Sequence, residues 1–166
     1  MRKLTGVVLF LVCVIFVAVG AEQSSAQERE INKKSVPKAV ISAFEKSYPR
    51  ARVKGYSTEV EEGKTLFEVE SYRGSMSLDV SYLSDGTVVE IEEGITSKDL
   101  PKTVKETIKS NYPRGRVLKV ERKTSGNAVT YEMKIVSGKT RVEMEVDSTG
   151  KIVRNPKENN KGDDED

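Results

Sequence analysis

"SYPRARV" occupies Ser47–Val53, and "NYPRGRV" occupies Asn111–Val117, 64 positions later (111 − 47). Laying Val36–Glu90 over Leu100–Arg154 with that fixed shift and no gap gives 13 identities in 55 positions. They include Pro37 with Pro101, Val40 with Val104, Tyr48-Pro49-Arg50 with Tyr112-Pro113-Arg114, Glu68 with Glu132, Gly74 with Gly138 and Gly86 with Gly150. The matches favour apolar, Gly and Pro positions, which set backbone and core. The pattern predicts a tandem duplication.

Each copy opens like a helix. Ser35 and Asp99 stand where an N-cap is expected, and Pro37 and Pro101 fall in the first turn, where a missing N–H costs little. Val36, Val40, Phe44 and Tyr48 recur at four-residue steps, as do Leu100, Val104, Ile108 and Tyr112. Each set makes one apolar stripe. Pro49 and Pro113 push the preceding Tyr out of helical geometry. The repeated heptad is therefore a helix stop plus an aromatic plug at the end of the core.

Four strand-like runs follow in each copy. In the first they are Arg52–Val60, Thr65–Tyr72, Met76–Leu83 and Thr87–Glu92; in the second Arg116–Lys123, Val129–Val136, Thr140–Asp147 and Lys151–Arg154. Turn signals such as Glu62-Gly63, Asp85-Gly86 and Ser137-Gly138 separate them. Met76, Leu78, Val80 and Tyr82 alternate with Ser77, Asp79 and Ser81, the signature of a half-buried strand. The expected fold class is α+β: two tandem repeats, each one helix packed on a four-stranded antiparallel meander sheet, with the other face wet and charged. A unit of about 60 residues has a marginal core alone. The two units are therefore expected to dock, and one sheet extending across both is one way to do so. The expected boundaries are 35–93 and 99–155 for the repeats and 156–166 for a disordered acidic tail.

The chain begins with Arg2 and Lys3, an apolar run Val7–Val19 and small residues at Gly20, Ala21 and Ser24-Ser25-Ala26. This is the pattern of a secretory signal peptide over residues 1–26, with cleavage after Ala21 or Ala26. The run is shorter than the roughly 20 residues of a spanning helix, so no stable membrane insertion is expected after cleavage. The lone cysteine, Cys13, lies inside that run behind Val12 and does not fit a lipid-modified position. Removing Arg2 and Lys3 leaves 26 basic against 26 acidic residues (28 − 2 = 26), which gives no basic excess for nucleic acid.

Tyr48-Pro49, Phe67-Glu68-Val69 and Ser84-Asp85-Gly86, with Tyr112-Pro113, Tyr131-Glu132-Met133 and Ser148-Thr149-Gly150, occur in the same order twice. This series resembles the PepSY-like, β-lactamase-inhibitor-like domain family. The resemblance covers about residues 35–155. It implies an exported protein, a helix on a four-stranded sheet, and a binding or inhibitory role. No residue matches a β-lactamase-contacting loop, so that target is not carried over.

The sequence holds no His, and Cys13 falls in the leader. General-base imidazole, zinc ligation by His and thiolate attack therefore have no candidates in the mature chain. No phosphate loop or nucleophile elbow is present. Glu61-Glu62 and Glu92-Glu93 read as solvated pairs. Glu68 and Glu132 read as salt-bridge partners of a neighbouring strand. No catalytic, cofactor or metal residue is assigned, and no enzyme is expected. The expected function is an exported, monomeric binding module, periplasmic or secreted, that engages an unknown envelope or extracellular protein through its exposed sheet face. Tyr56, Tyr72, Arg73 and Lys54 are the candidate contact residues, since Tyr and Arg are common hot spots. Packing of both tyrosines over the seam between repeats is the competing reading. The alternative function is a small-molecule or lipid carrier, or an envelope sensor, with a pocket between helix and sheet.

Overall fold

The structure, a computed structural model, describes residues 28–160. The expected signal peptide and residues 161–166 lie outside the described residues. In chain order the elements are β1 (Arg29–Glu30), a 3-10 turn (Lys33–Ser35), α1 (Lys38–Ser47), β2 (Arg52–Glu61), β3 (Lys64–Arg73), β4 (Met76–Tyr82), β5 (Val88–Gly94), α2 (Lys102–Asn111), β6 (Arg116–Ser125), β7 (Ala128–Ser137), β8 (Thr140–Asp147) and β9 (Ile152–Asn160).

The fold class differs from the expectation. The strands do not form two four-stranded sheets in two separate repeats. All nine belong to a single antiparallel sheet in the order β1 to β9. The join is the ladder between β5 and β6, which runs from Glu90↔Ser125 to Gly94↔Glu121. Two separate sheets would leave both of those edges with unpaired N–H and C=O groups. Pairing them removes two edges at once. β1 adds a further short strand on β2, at Thr58 and Ser57. At the other end β9 continues through residues 156–160, where a tail was expected. Pro156 is tolerated there because β9 is an edge strand.

The helix starts also differ in detail. Ser35 ends the 3-10 turn, and Pro37 and Pro101 are the caps of α1 and α2, with no side-chain cap bond. Asp99 instead closes its own turn. Its carboxylate accepts from Thr96 N–H at 3.2 Å and Thr96 Oγ1 at 2.7 Å, and these bonds hold it below the usual carboxylate range.

Two apolar clusters lie beneath the two helices. Val40 and Phe44 of α1 pack on Val69, Leu78, Val80 and Tyr82; Val104 and Ile108 of α2 pack on Met133, Ile135, Val142 and Met144. Burial of each such side chain is worth about 1.5–3 kcal/mol. Tyr48 closes the first cluster, with its ring 5.3 Å from that of Phe44. Ile91 packs against the first cluster and pairs in register with Thr124. Val120, four residues before Thr124, belongs to the second. Both helices therefore cover the same face of the sheet.

Two hairpin glycines fix how closely the turns approach the helices. Gly86 has φ +87°, and a Cβ there would stand 2.9 Å from the Ala39 carbonyl of α1; Gly150 has φ +93°, with Thr103 O of α2 at 3.0 Å from such a Cβ. Backbone conformation and space both require glycine.

Candidate functional site: the uncovered face of the sheet

Among the described residues no helix packs on the second face of the sheet. Strand alternation places there the cross-strand row Ser57, Glu68, Ser81, Glu90 and Ser125. Beside it runs Gly55, Glu70, Asp79, Glu92 and Lys123. Every residue in these rows follows from the two-residue period of the strands.

The charges are uneven. On the β6–β9 side the acids are paired: Arg154 contacts Glu132 at 2.7 Å and Glu145 at 3.4 Å, and Lys134 meets Glu143 at 3.0 Å. On the β2–β5 side Glu59, Glu68, Glu90 and Glu92 gather around Lys123. Its Nζ lies 2.7 Å from Glu92 and 3.5 Å from Glu90. A depression of about 450 Å³ opens among Glu59, Leu66, Glu68, Glu90 and Lys123. Desolvation raises the Glu68 carboxyl to about 7, although the Ser57 hydroxyl donates to it at 2.9 Å and opposes the rise. Desolvation likewise raises Glu59, Asp79 and Glu90. Burial works against the charge of Lys123, but its bond to Glu92 and the nearby Glu90 outweigh this and hold it above the usual lysine range. Glu132 is thus ion-paired, but with Arg154 two strands away rather than with a neighbouring strand, whereas Glu68 is held by a hydroxyl.

The four sequence candidates do not converge. Tyr72 is on the uncovered face, half-buried, with the Arg52 guanidinium carbon 5.5 Å from its ring centre. Lys54 is on the same face and donates to Glu70 at 2.5 Å. Tyr56 pairs with Val69 and packs into the cluster beneath α1. Arg73 also points to the helix side, where it donates to Glu93 at 2.8 Å; Glu93 is shared with Arg122 of β6. That bridge spans the seam between the halves and escaped the sequence reading, which took Glu92-Glu93 as a solvated pair. Opposite faces for adjacent strand residues would have flagged it.

A carrier pocket between helix and sheet finds no space beneath α1. Val40, Phe44, Val69, Val80 and Tyr82 fill that interface, each at most 3% exposed. Among the described residues no three acidic groups converge to hold a metal ion, and no helix is long and apolar enough to cross a membrane.

Solved structures share this fold. A "putative periplasmic" protein from Bacteroides eggerthii aligns with TM-score 0.61 at 15% identity, covering 74% of this chain and 88% of that one. A DUF2874-family protein from Bacteroides uniformis aligns with TM-score 0.60 at 18% identity, over 74% and 89%. A BLIP-like protein from Bacteroides fragilis aligns with TM-score 0.57 at 19% identity, over 79% and 92%. No curated protein matches the chain. The sequence model of the family described as "Putative beta-lactamase-inhibitor-like, PepSY-like" matches residues 22–89 and 65–154. These two segments overlap and together run from residue 22 to residue 154, so the chain belongs to the PepSY-like family.

Proposed function

We propose that this chain is a non-enzymatic binding protein of the bacterial cell envelope, and that the uncovered sheet face engages a protein partner. The observation that carries the reading is the state of the carboxylates on the β2–β5 side. Glu59, Glu68, Asp79 and Glu90 are partly desolvated, and among the described residues Lys123 and Lys54 are the cations beside them, each already paired to an acid. Acids held partly dry with too few cations favour a partner that supplies Lys or Arg. An antiparallel face with pre-ordered side chains also loses little entropy on docking. The BLIP-like description of a structural relative and the family description point the same way. The periplasmic description of another relative, together with the leader pattern of residues 1–26, supports the envelope location.

The test is affinity capture from envelope extract, with the protein and its Glu68→Lys and Glu90→Lys variants as baits. The reading expects one reproducible partner that both charge reversals release. Capture that is indifferent to these variants but lost on changing exposed residues of α1 would move the interface to the helix side.

A further inference from the structure

The two halves share core and turn residues but differ in charge on the uncovered face. At the shift of 64 positions Lys123 stands for Glu59, Lys134 for Glu70 and Arg154 for Glu90. The ladders place all of these on the uncovered face. Glu68 and Glu132 keep the same sign. A duplicated sheet with unchanged charges would carry one sign throughout. This one does not.

The two signs collect at diagonal corners. Beside the turn between β2 and β3 stand Glu30, Glu59, Glu61, Glu68 and Glu90. Lys64, across from Glu61, and Lys123 are the cations at that corner, and Lys123 is already bound to Glu92. Where β6 begins, Arg116 aligns through Val136 with Arg141, and Lys157 pairs in register with Glu143. Lys119 and Lys134 stand beside them, bound to Glu121 and Glu143. Arg116, Arg141 and Lys157 are exposed and form no ion pair among the described residues. Ser125 lies in line with Glu68 through Ser81 and Glu90. It follows Arg116 on β6 by a distance of roughly 30 Å, so the corners lie at opposite ends of the strands as well as in opposite halves.

We infer, resting on the reading above that this face binds protein, that its partner is a second copy of this chain packed face to face. A two-fold axis lying between the faces, across the line joining the corners, sets each acidic corner over the other copy's basic corner. The same contact then occurs twice. Arg116, Arg141 and Lys157 of one copy supply the cations that the partly dry acids of the other lack. Strands of the two copies cross steeply, as in orthogonal sheet packing. The face is roughly 40 Å across its nine strands and roughly 30 Å along them, enough for the roughly 800 Å² per partner of a stable interface. Both corners are charged, so the attraction is electrostatic and is screened by salt.

Sedimentation equilibrium of the protein at about 20 mM and about 500 mM salt tests it. The expected result is a dimer at low salt whose dissociation constant rises at least about tenfold at high salt. Glu59→Lys with Glu61→Lys should give a monomer, as should Arg116→Glu with Arg141→Glu. All four positions are at the surface, and amide spectra establish that both variants are folded. Mixing the two variants should restore a heterodimer, because the reversed corners complement each other at both contacts. A monomer at low salt would overturn the proposal. If Glu68→Lys still released a captured protein, the open-face reading would stand with a different partner. A dimer indifferent to both reversals, or variants that stay monomeric when mixed, would also overturn it.

Discussion

The Ser57 hydroxyl of β2 donates to the Glu68 carboxylate of β3 at 2.9 Å, and Ser57 is 1% exposed. This bond holds an acid on the uncovered face that desolvation pushes up to about 7, from an ordinary 4.5. The folded chain keeps the Glu68 proton where the unfolded chain loses it. Stability therefore falls as pH rises from about 4.5 to about 7 and is level above that, as far as this group is concerned. Glu59, Asp79 and Glu90 are shifted in the same direction. With partial hydration allowed for, the Glu68 share is about 1–2 kcal/mol. Melting curves at pH 5.5 and pH 8 should show the lower pH more stable, and Glu68→Gln should narrow the difference. Equal narrowing by Glu132→Gln would assign the effect elsewhere.

Tyr82 is fully buried, and its hydroxyl has no hydrogen-bond partner. Burial also raises its pKa, so it stays neutral. Tyr82→Phe removes an unsatisfied polar atom and keeps the ring. The variant should match or exceed the parent by up to about 1 kcal/mol in chemical denaturation. A loss of that size would mean the hydroxyl makes a bond to water.

Gly86 and Gly74 both have positive φ, +87° and +67°, but only Gly86 faces a helix carbonyl; nothing lies within 4 Å of a Cβ on Gly74. Gly74→Ala carries the conformational cost alone, about 1 kcal/mol. Gly86→Ala adds a clash with α1 and should cost about 1–3 kcal/mol more. Equal urea midpoints for the two would contradict the close packing of that hairpin under the helix.

Glu93 joins Arg73 of β3 to Arg122 of β6, and its side chain is 13% exposed against 61% and 44% for the arginines. Glu93→Ala should cost about 1 kcal/mol, with the difference shrinking in high salt because both arginines reach solvent. A salt-independent loss would point to packing instead.

The local elements were legible because their signals are local. The four-residue stripe Val36–Tyr48 and the alternation of Met76–Tyr82 each required only one element to read. The candidate patch was not, because a bulge breaks parity. The register jumps between Val53 and Gly55, so Lys54 faces the open side while Tyr56 turns under α1. Arg73, adjacent to Tyr72, necessarily lies on the opposite face. The join of the two meanders into one sheet was left as one option for a different reason. β5 and β6 pair across α2, and no composition cue in Glu90–Gly94 or Glu121–Ser125 names a partner strand. β9 was cut short because the acidic composition after Asn155 reads as a solvated tail, whereas an edge strand needs pairing on one side only and tolerates such residues through Asn160.

The central claim is that one sheet runs through both halves and leaves one face uncovered. Nuclear Overhauser contacts between the backbones of Glu92–Gly94 and Glu121–Lys123 test it most directly. Strong cross-strand contacts along that ladder, with slow exchange of the Ile95 amide, are the predicted result. Two halves that tumble independently with no contact between these segments would contradict the account.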